Sequence, residues 1–151
     1  MLQLALKSDR EAVNQLASQL HAMRLSWRPD IFCPVDELYS EADFDLRIRS
    51  RQLYTARIGG IVVGYTLLRM EQVEAPGVVC RKRMVIDEFC IEESCRDQGF
   101  GTEMVSDVRA LAKAFGCTEL QLGVFPQNDP AVGFWQKCGF TIRSIEMQTA
   151  V

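Results

Sequence analysis

Histidine is almost missing from the sequence: His21 is the only one in 151 residues. Six cysteines are present, at positions 33, 80, 90, 95, 117 and 138, yet no two are spaced as Cys-x-x-Cys. Zinc sites draw on close pairs of such ligands, so no metal centre is expected. The opening residues, MLQLALKSDRE, lack a basic stretch followed by a long apolar one, so a secretory leader is not expected. A disulfide framework is then not expected either. The cysteines read as small hydrophobes, with Cys95, in a charged loop, the most exposed. The longest uncharged, largely apolar run covers residues 58–68, is too short to span a bilayer and holds three glycines. A basic surplus is also lacking. Lys and Arg total 17 against 20 Asp and Glu, a net charge of -3, which excludes a general nucleic-acid binder. No low-complexity tract, linker or repeat appears.

What remains is an ordinary globular composition, 48% hydrophobic and 25% charged. The length fits one domain, taken as residues 1–151, with enough chain to bury a core without staples. A cytoplasmic protein, monomer or homodimer, is the expectation.

Residues 2–6 read as a short strand. Ser8 and Glu11 fit a capping box, and Val13, Leu16, Leu20 and Met23 repeat at helical spacing, predicting a helix over 9–24. Arg28-Pro29-Asp30 breaks it. A short helix is expected near Asp36, and residues 42–50 fit strand or helix. Residues 53–58, Gly59-Gly60 and residues 61–70 read as a β-hairpin, with Gly64 marking a bulge or a close backbone approach. Pro76-Gly77 is a turn, and residues 84–91 an apolar strand carrying Asp87 and Glu88. A helical stripe then runs from Phe100 to Phe115 and stops at Gly116. A strand follows over 120–124. Asp129-Pro130 reads as an N-cap and first helical residue, opening a helix that ends at Gly139. Residues 140–147 read as a last strand. The order β, α, (α), β, β, β, α, β, α, β predicts an α/β (α+β) protein with a mixed sheet and helices on its faces. The unit over 84–125 reads as a parallel crossover.

The most informative stretch is Arg96-Asp97-Gln98-Gly99-Phe100-Gly101, between a strand and a helix. Its glycines let backbone approach a ligand, and the new helix offers unpaired amides and the positive end of its dipole to an anion. Arg96 adds a formal charge. A Walker loop would need Gly-Lys-Ser/Thr where Gly101-Thr102-Glu103 stands, and a dinucleotide fingerprint would need a glycine where Met104 stands. Read alone, the loop also fits a plain helix start with two convenient glycines.

Arg-x-x-Gly-x-Gly after an apolar strand resembles the acetyl-CoA pyrophosphate loop of the GNAT N-acetyltransferase superfamily. Asn128-Asp129-Pro130-Ala131 with Phe134-Trp135 and Gly139-Phe140 resembles that family's second motif, Asn-x-x-Ala-x-x-Phe-Tyr-x-x-x-Gly-Phe. The match is clearest over 84–147, and the hairpin ending in residues 59–65 is similar to the family's second and third strands. The resemblance implies the acyl-CoA N-acyltransferase fold, a mixed, mostly antiparallel twisted sheet with helices on both faces. It also implies acetyl transfer from acetyl-CoA to a primary amine, on a small molecule or a protein, directly in a ternary complex.

By the same resemblance, the amides of Gln98, Gly99, Phe100, Gly101 and Thr102 would hold the pyrophosphate. The strand segment Phe89, Cys90 and Ile91 would lie along the pantetheine arm, through the backbone of Phe89 and Ile91. Asn128, with Ala131 of the same motif, would meet that arm, and Phe134 and Trp135 would wall the thioester pocket. Many members carry a tyrosine where Trp135 stands, thought to protonate the departing thiolate. An indole cannot act as that acid. The alternative to an enzyme is a catalytically silent CoA-binding sensor or scaffold domain. For the general base, Asp87 and Glu88 are the candidates. They point to opposite faces of their strand, and simple alternation puts Asp87 with Val85 and Phe89. Some members of the superfamily carry the basic carboxylate on that face, so the resemblance favours Asp87. A structural ion pair explains such a carboxylate as well. Ribosomal-protein acetyltransferases of the superfamily use a glutamate where Gly123 stands here, which argues against that substrate class.

Overall fold

The computed structural model describes residues 1–151. Five strands form one sheet in the order β1 (Leu2–Leu4), β2 (Leu53–Ile58), β3 (Ile61–Val73), β4 (Arg81–Ile91), β5 (Glu119–Leu122). Every neighbouring pair is antiparallel except β4 and β5, which run parallel and are joined through α3 (Phe100–Ala114). The mixed, mostly antiparallel sheet expected from the sequence is therefore present.

Alternation along the strands divides the core between two faces. Leu53, Tyr65, Leu67 and Cys90 pack with Val13, Leu16 and Ala17 of α1 (Arg10–Trp27) and Phe44 of α2 (Glu41–Arg49). Tyr54, Leu68, Met84 and Ile86 pack on the other face, with Val105, Val108 and Ala112 of α3 and Trp135 of α4 (Asp129–Lys137). Helices cover both faces because each carries one apolar stripe, spaced three and four residues apart.

Several local expectations change. The capping box expected of Ser8 and Glu11 does not form: Asp9 stands at the start of α1 without a side-chain cap bond, and its carboxylate accepts instead from the Leu6 amide at 2.8 Å and from Arg57 at 2.5 Å. α1 runs on to Trp27. No helix starts near Asp36. Ser40 instead caps α2, its side chain accepting from Asp43 N at 3.2 Å, which settles residues 42–50 as helix. Asn128, not Asp129, caps α4 by accepting from Ala131 N at 3.3 Å, with Pro130 in the first turn. β5 stops at Leu122. The strand expected over 140–147 does not form. Phe140 is drawn onto Trp135, with ring centroids 5.1 Å apart, and the residues beyond it pair with no strand, Arg143 reaching β5 only through its side chain, on Gln121 at 3.0 Å. Ile142, Ile145 and Met147 are exposed. The basic run at 81–83 is spent on structure, Arg81 on Glu119, Arg83 on Glu71 and Lys82 on the Phe115 carbonyl.

Two bulges shape the sheet. Between β2 and β3 the register skips Val63. Next to it, Gly64 lies so close to β4 that a Cβ there would sit 2.8 Å from the Cys90 carbonyl oxygen and 2.8 Å from Ile91 Cδ1. Gly64→Ala is expected to cost about 2 kcal/mol by overpacking, lowering the melting temperature by roughly 4–8 °C. A melting curve within a degree of the parent would refute that close approach. Between β3 and β4, Leu67 faces Glu88 and Leu68 faces Ile86, leaving Asp87 as the extra residue.

Candidate active site

After β4 a short 3-10 turn, Glu93–Cys95, leads into residues 96–99 and the start of α3. Asp97 and Gly99 have φ of 59° and 87°, and these two left-handed residues fold the chain into the helix. The first helical bond runs from Glu103 N to Gly99 O at 3.1 Å. The six amides of residues 97–102 meet no backbone acceptor. The amides that bond side chains are all elsewhere. Residues 96–99 are exposed. A run of exposed, unmatched donors at the positive end of a 15-residue helix is an anion seat. Arg96 Nε donates to Ile91 O at 3.0 Å, tying the loop to the end of β4. Gln98 is held by its side chain on Ser94 O at 2.9 Å. A Cβ on Gly101 would lie 3.2 Å from the Phe134 ring, so α3 begins in contact with α4.

Beside this loop the sheet opens. β4 and β5 pair only from Arg83 with Glu119 to Ile86 with Leu122. Beyond Ile86, β4 continues to Ile91 paired with β3 alone, so its other edge has backbone groups without a strand partner. Phe89 projects to the α3 and α4 face, 6.0 Å from Phe134 and 4.9 Å from Trp135 between centroids. Trp135 is buried, and its indole N–H bonds nothing in the protein and is not sealed from solvent. Ala131 packs against the same cluster, and Asn128 Oδ1 is engaged in the cap. Cys90 sends its side chain the other way, into the core under α1. Burial pushes its thiol up to about 11, which suits packing and not nucleophilic chemistry.

The bulge overturns the expected pairing of faces at the two carboxylates. Phe89 lies on the same face as Met84 and Ile86, away from Val85, because the extra residue Asp87 resets the alternation. Asp87 ends in a surface ion pair, with Arg69 donating to both carboxylate oxygens at 3.0 and 3.1 Å. Glu88 turns under α1, where Oε2 accepts from the Tyr65 hydroxyl at 2.6 Å and the Tyr39 hydroxyl at 2.9 Å. Burial first, and the Glu88 charge second, push both phenols far above their ordinary value, so they remain donors. Arg24 Nη1 stands 3.9 Å from Oε1. The Glu88 side chain keeps 21% of its surface exposed. The sequence reading missed Tyr39, Tyr65 and Arg24. His21 sits in α1 with Nε2 on Cys33 O at 2.8 Å, a helix residue bonded to a loop. Gly123 lies just past the end of β5.

The model of the Acetyltransferase (GNAT) family matches residues 19–140. The chain belongs to the GNAT family. An uncharacterized N-acetyltransferase of Bacillus subtilis, YvbK, is 26% identical over 119 residues, 74% of this chain and 72% of the relative. The fold of the BH1408 protein from Bacillus halodurans superposes with a TM-score of 0.93 at 21% identity, over 100% of this chain and 99% of that one. The aminoglycoside N-acetyltransferase AAC(6')-Iy, solved in complex with CoA, superposes at 0.71 with 16% identity over the whole of both chains. Members of this GNAT family use acetyl-CoA and act on amines.

Proposed function

We propose that this GNAT protein is an N-acetyltransferase that passes the acetyl group of acetyl-CoA directly to a primary amine. The observation that carries the reading is the run of six amides at residues 97–102, without acceptors and mostly on exposed residues, beside the opened edge of β4. A diphosphate fits that donor set, and an extended pantetheine arm fits a strand edge that lacks a partner. Arg96, Gln98, Gly99, Phe100, Gly101 and Thr102 would hold the diphosphate. Phe89 and Ile91 would offer backbone to the arm, with Asn128 and Ala131 at its far side, and Phe134 and Trp135 would close the apolar wall.

Acetyl-CoA supplies the activated acetyl thioester. The protein supplies a base. A lysine-type amine, with a pKa near ~10.4, is mostly protonated at neutral pH and must lose a proton before or during attack. Glu88 is placed to take it, since it is partly exposed and fixed by two hydroxyls, whereas Asp87 is committed to Arg69. Tyr39 and Tyr65 orient the carboxylate through their hydroxyls. Trp135 donates no proton. A thiol pKa near ~8.5 makes departure as thiolate tolerable without a dedicated acid.

CoA titrated against thermal stability, followed by thiol release from acetyl-CoA over an amine panel, tests this. Binding is expected to add about 2.7 kcal/mol of stability at a hundredfold excess over Kd, and at least one amine class is expected to be acetylated. No melting shift overturns the loop assignment. A shift with no product from any amine overturns the enzyme in favour of a silent CoA-binding domain.

A further inference from the structure

We propose that the acceptor amine carries an acid group, carboxylate or phosphate, and that Arg24 receives it. The inference rests on the transferase reading of the same cleft and names its substrate class.

Several other arginines along α1 and the sheet are matched to carboxylates at short range, and Arg96, at the loop, is spent on the Ile91 carbonyl at 3.0 Å. Arg28 holds Asp30 at 2.8 and 2.6 Å, Arg57 holds Asp9 at 2.5 Å, Arg69 holds Asp87 at 3.0 and 3.1 Å, and Arg81 holds Glu119 at 2.8 Å. Arg24 is different. Its one ion pair, with Glu88, spans 3.9 Å, and its one hydrogen bond, to the Asp87 carbonyl, spans 3.5 Å, the outer limit of useful length. The side chain is nevertheless held in place. It projects from α1, lies over the Phe32 ring at 5.8 Å, and has only 25% of its surface exposed. A guanidinium that has given up most of its water without gaining a close anion retains strong, oriented donors. Its planar fork matches the paired oxygens of an acid.

The surroundings place that fork on the acceptor side. Phe32 meets Phe125 edge-on at 5.9 Å, and Phe125 lies just past the end of β5. Base and guanidinium thus stand side by side, the guanidinium against this aromatic pair. An ammonium on Glu88 and an acid on Arg24 must belong to groups close together in one molecule, because the two side chains are themselves only 3.9 Å apart. Amino acids and short aminoalkyl phosphates have that arrangement. A lysine side chain of a protein does not.

Matched amines test it under saturating acetyl-CoA: β-alanine against β-alaninamide, and O-phosphoethanolamine against ethanolamine. The acid-bearing member of at least one pair is expected to lead by about tenfold or more in kcat/KM, and the pair with the larger lead names the acid. Arg24→Gln is expected to raise KM for that amine about tenfold more than for its acid-free partner, whatever its common effect on kcat through the ion pair with Glu88. Arg24→Lys is expected to recover part of the loss. An equal fall in kcat for both members of each pair, with no difference between them in KM, would make Arg24 a positioning residue for Glu88 and overturn the proposal. Acid-free amines turned over as well as acid-bearing ones would overturn it and leave the transferase standing. A CoA-induced melting shift with no turnover of any amine would overturn both.

Discussion

Glu88→Gln is expected to lower the turnover number by about a hundredfold or more while CoA still raises the melting temperature as it does in the parent. The scale is that of a lost general base. The substitution keeps the shape of the side chain, and its carbonyl oxygen can still accept from Tyr39 or Tyr65, so the core under α1 stays packed. What it removes is the ability to take a proton. Asp87→Asn is the control. That carboxylate is 34% exposed and bonded to Arg69, and exposed pairs contribute little, so its rate is expected to stay within a few-fold of the parent. Steady-state rates of both variants, with melting curves in the presence and absence of CoA, decide the matter. If Asp87→Asn is the slower of the two, the base has been assigned to the wrong neighbour.

Gly99→Glu is expected to weaken CoA binding by about a hundredfold or more, a loss of roughly 2.7 kcal/mol. Gly99 has φ of 87° and open space where a Cβ would stand, so the new side chain meets nothing in the protein. The left-handed backbone costs about 1–2 kcal/mol, which a domain of this size tolerates. The effect falls instead on the ligand: a carboxylate at the mouth of the amide run repels a diphosphate, and relaxation of the strained residue turns the neighbouring amides out of line. Direct titration by calorimetry reads the affinity, and circular dichroism checks that α3 is intact. Unchanged affinity would move the diphosphate away from this loop.

The features legible in the sequence are those that local chemistry determines. The glycines and the helix start at 96–102 are adjacent in the chain, and the structure leaves their amides free. Asn128 to Phe140 carries its helix, its cap and its aromatic wall within thirteen consecutive positions. The proposed base was obscured for the opposite reason. Alternation along 84–91 paired Asp87 with Phe89, and no glycine or proline at 86–88 announces that Asp87 is an extra residue. Its partners are distant as well, Tyr65 from the hairpin and Tyr39 from a segment that read as a helix and is irregular. The strand expected over 140–147 failed because apolar alternation records only a preference: the segment meets the edge strand β5 through the Arg143 side chain on Gln121 and not through backbone pairing.

The last pairing of β4 with β5, Ile86 with Leu122, comes immediately before the inserted Asp87. A bulge bends its strand and increases the local twist, so the residue that rotates Glu88 toward the tyrosines stands where the two strands part. The opening and the side that the carboxylate faces are nevertheless separable traits. A lineage that dropped the Asp87 codon would restore plain alternation with Glu88 still on the tyrosine side of the strand, so it could lose the bend and the fissure yet keep its acid.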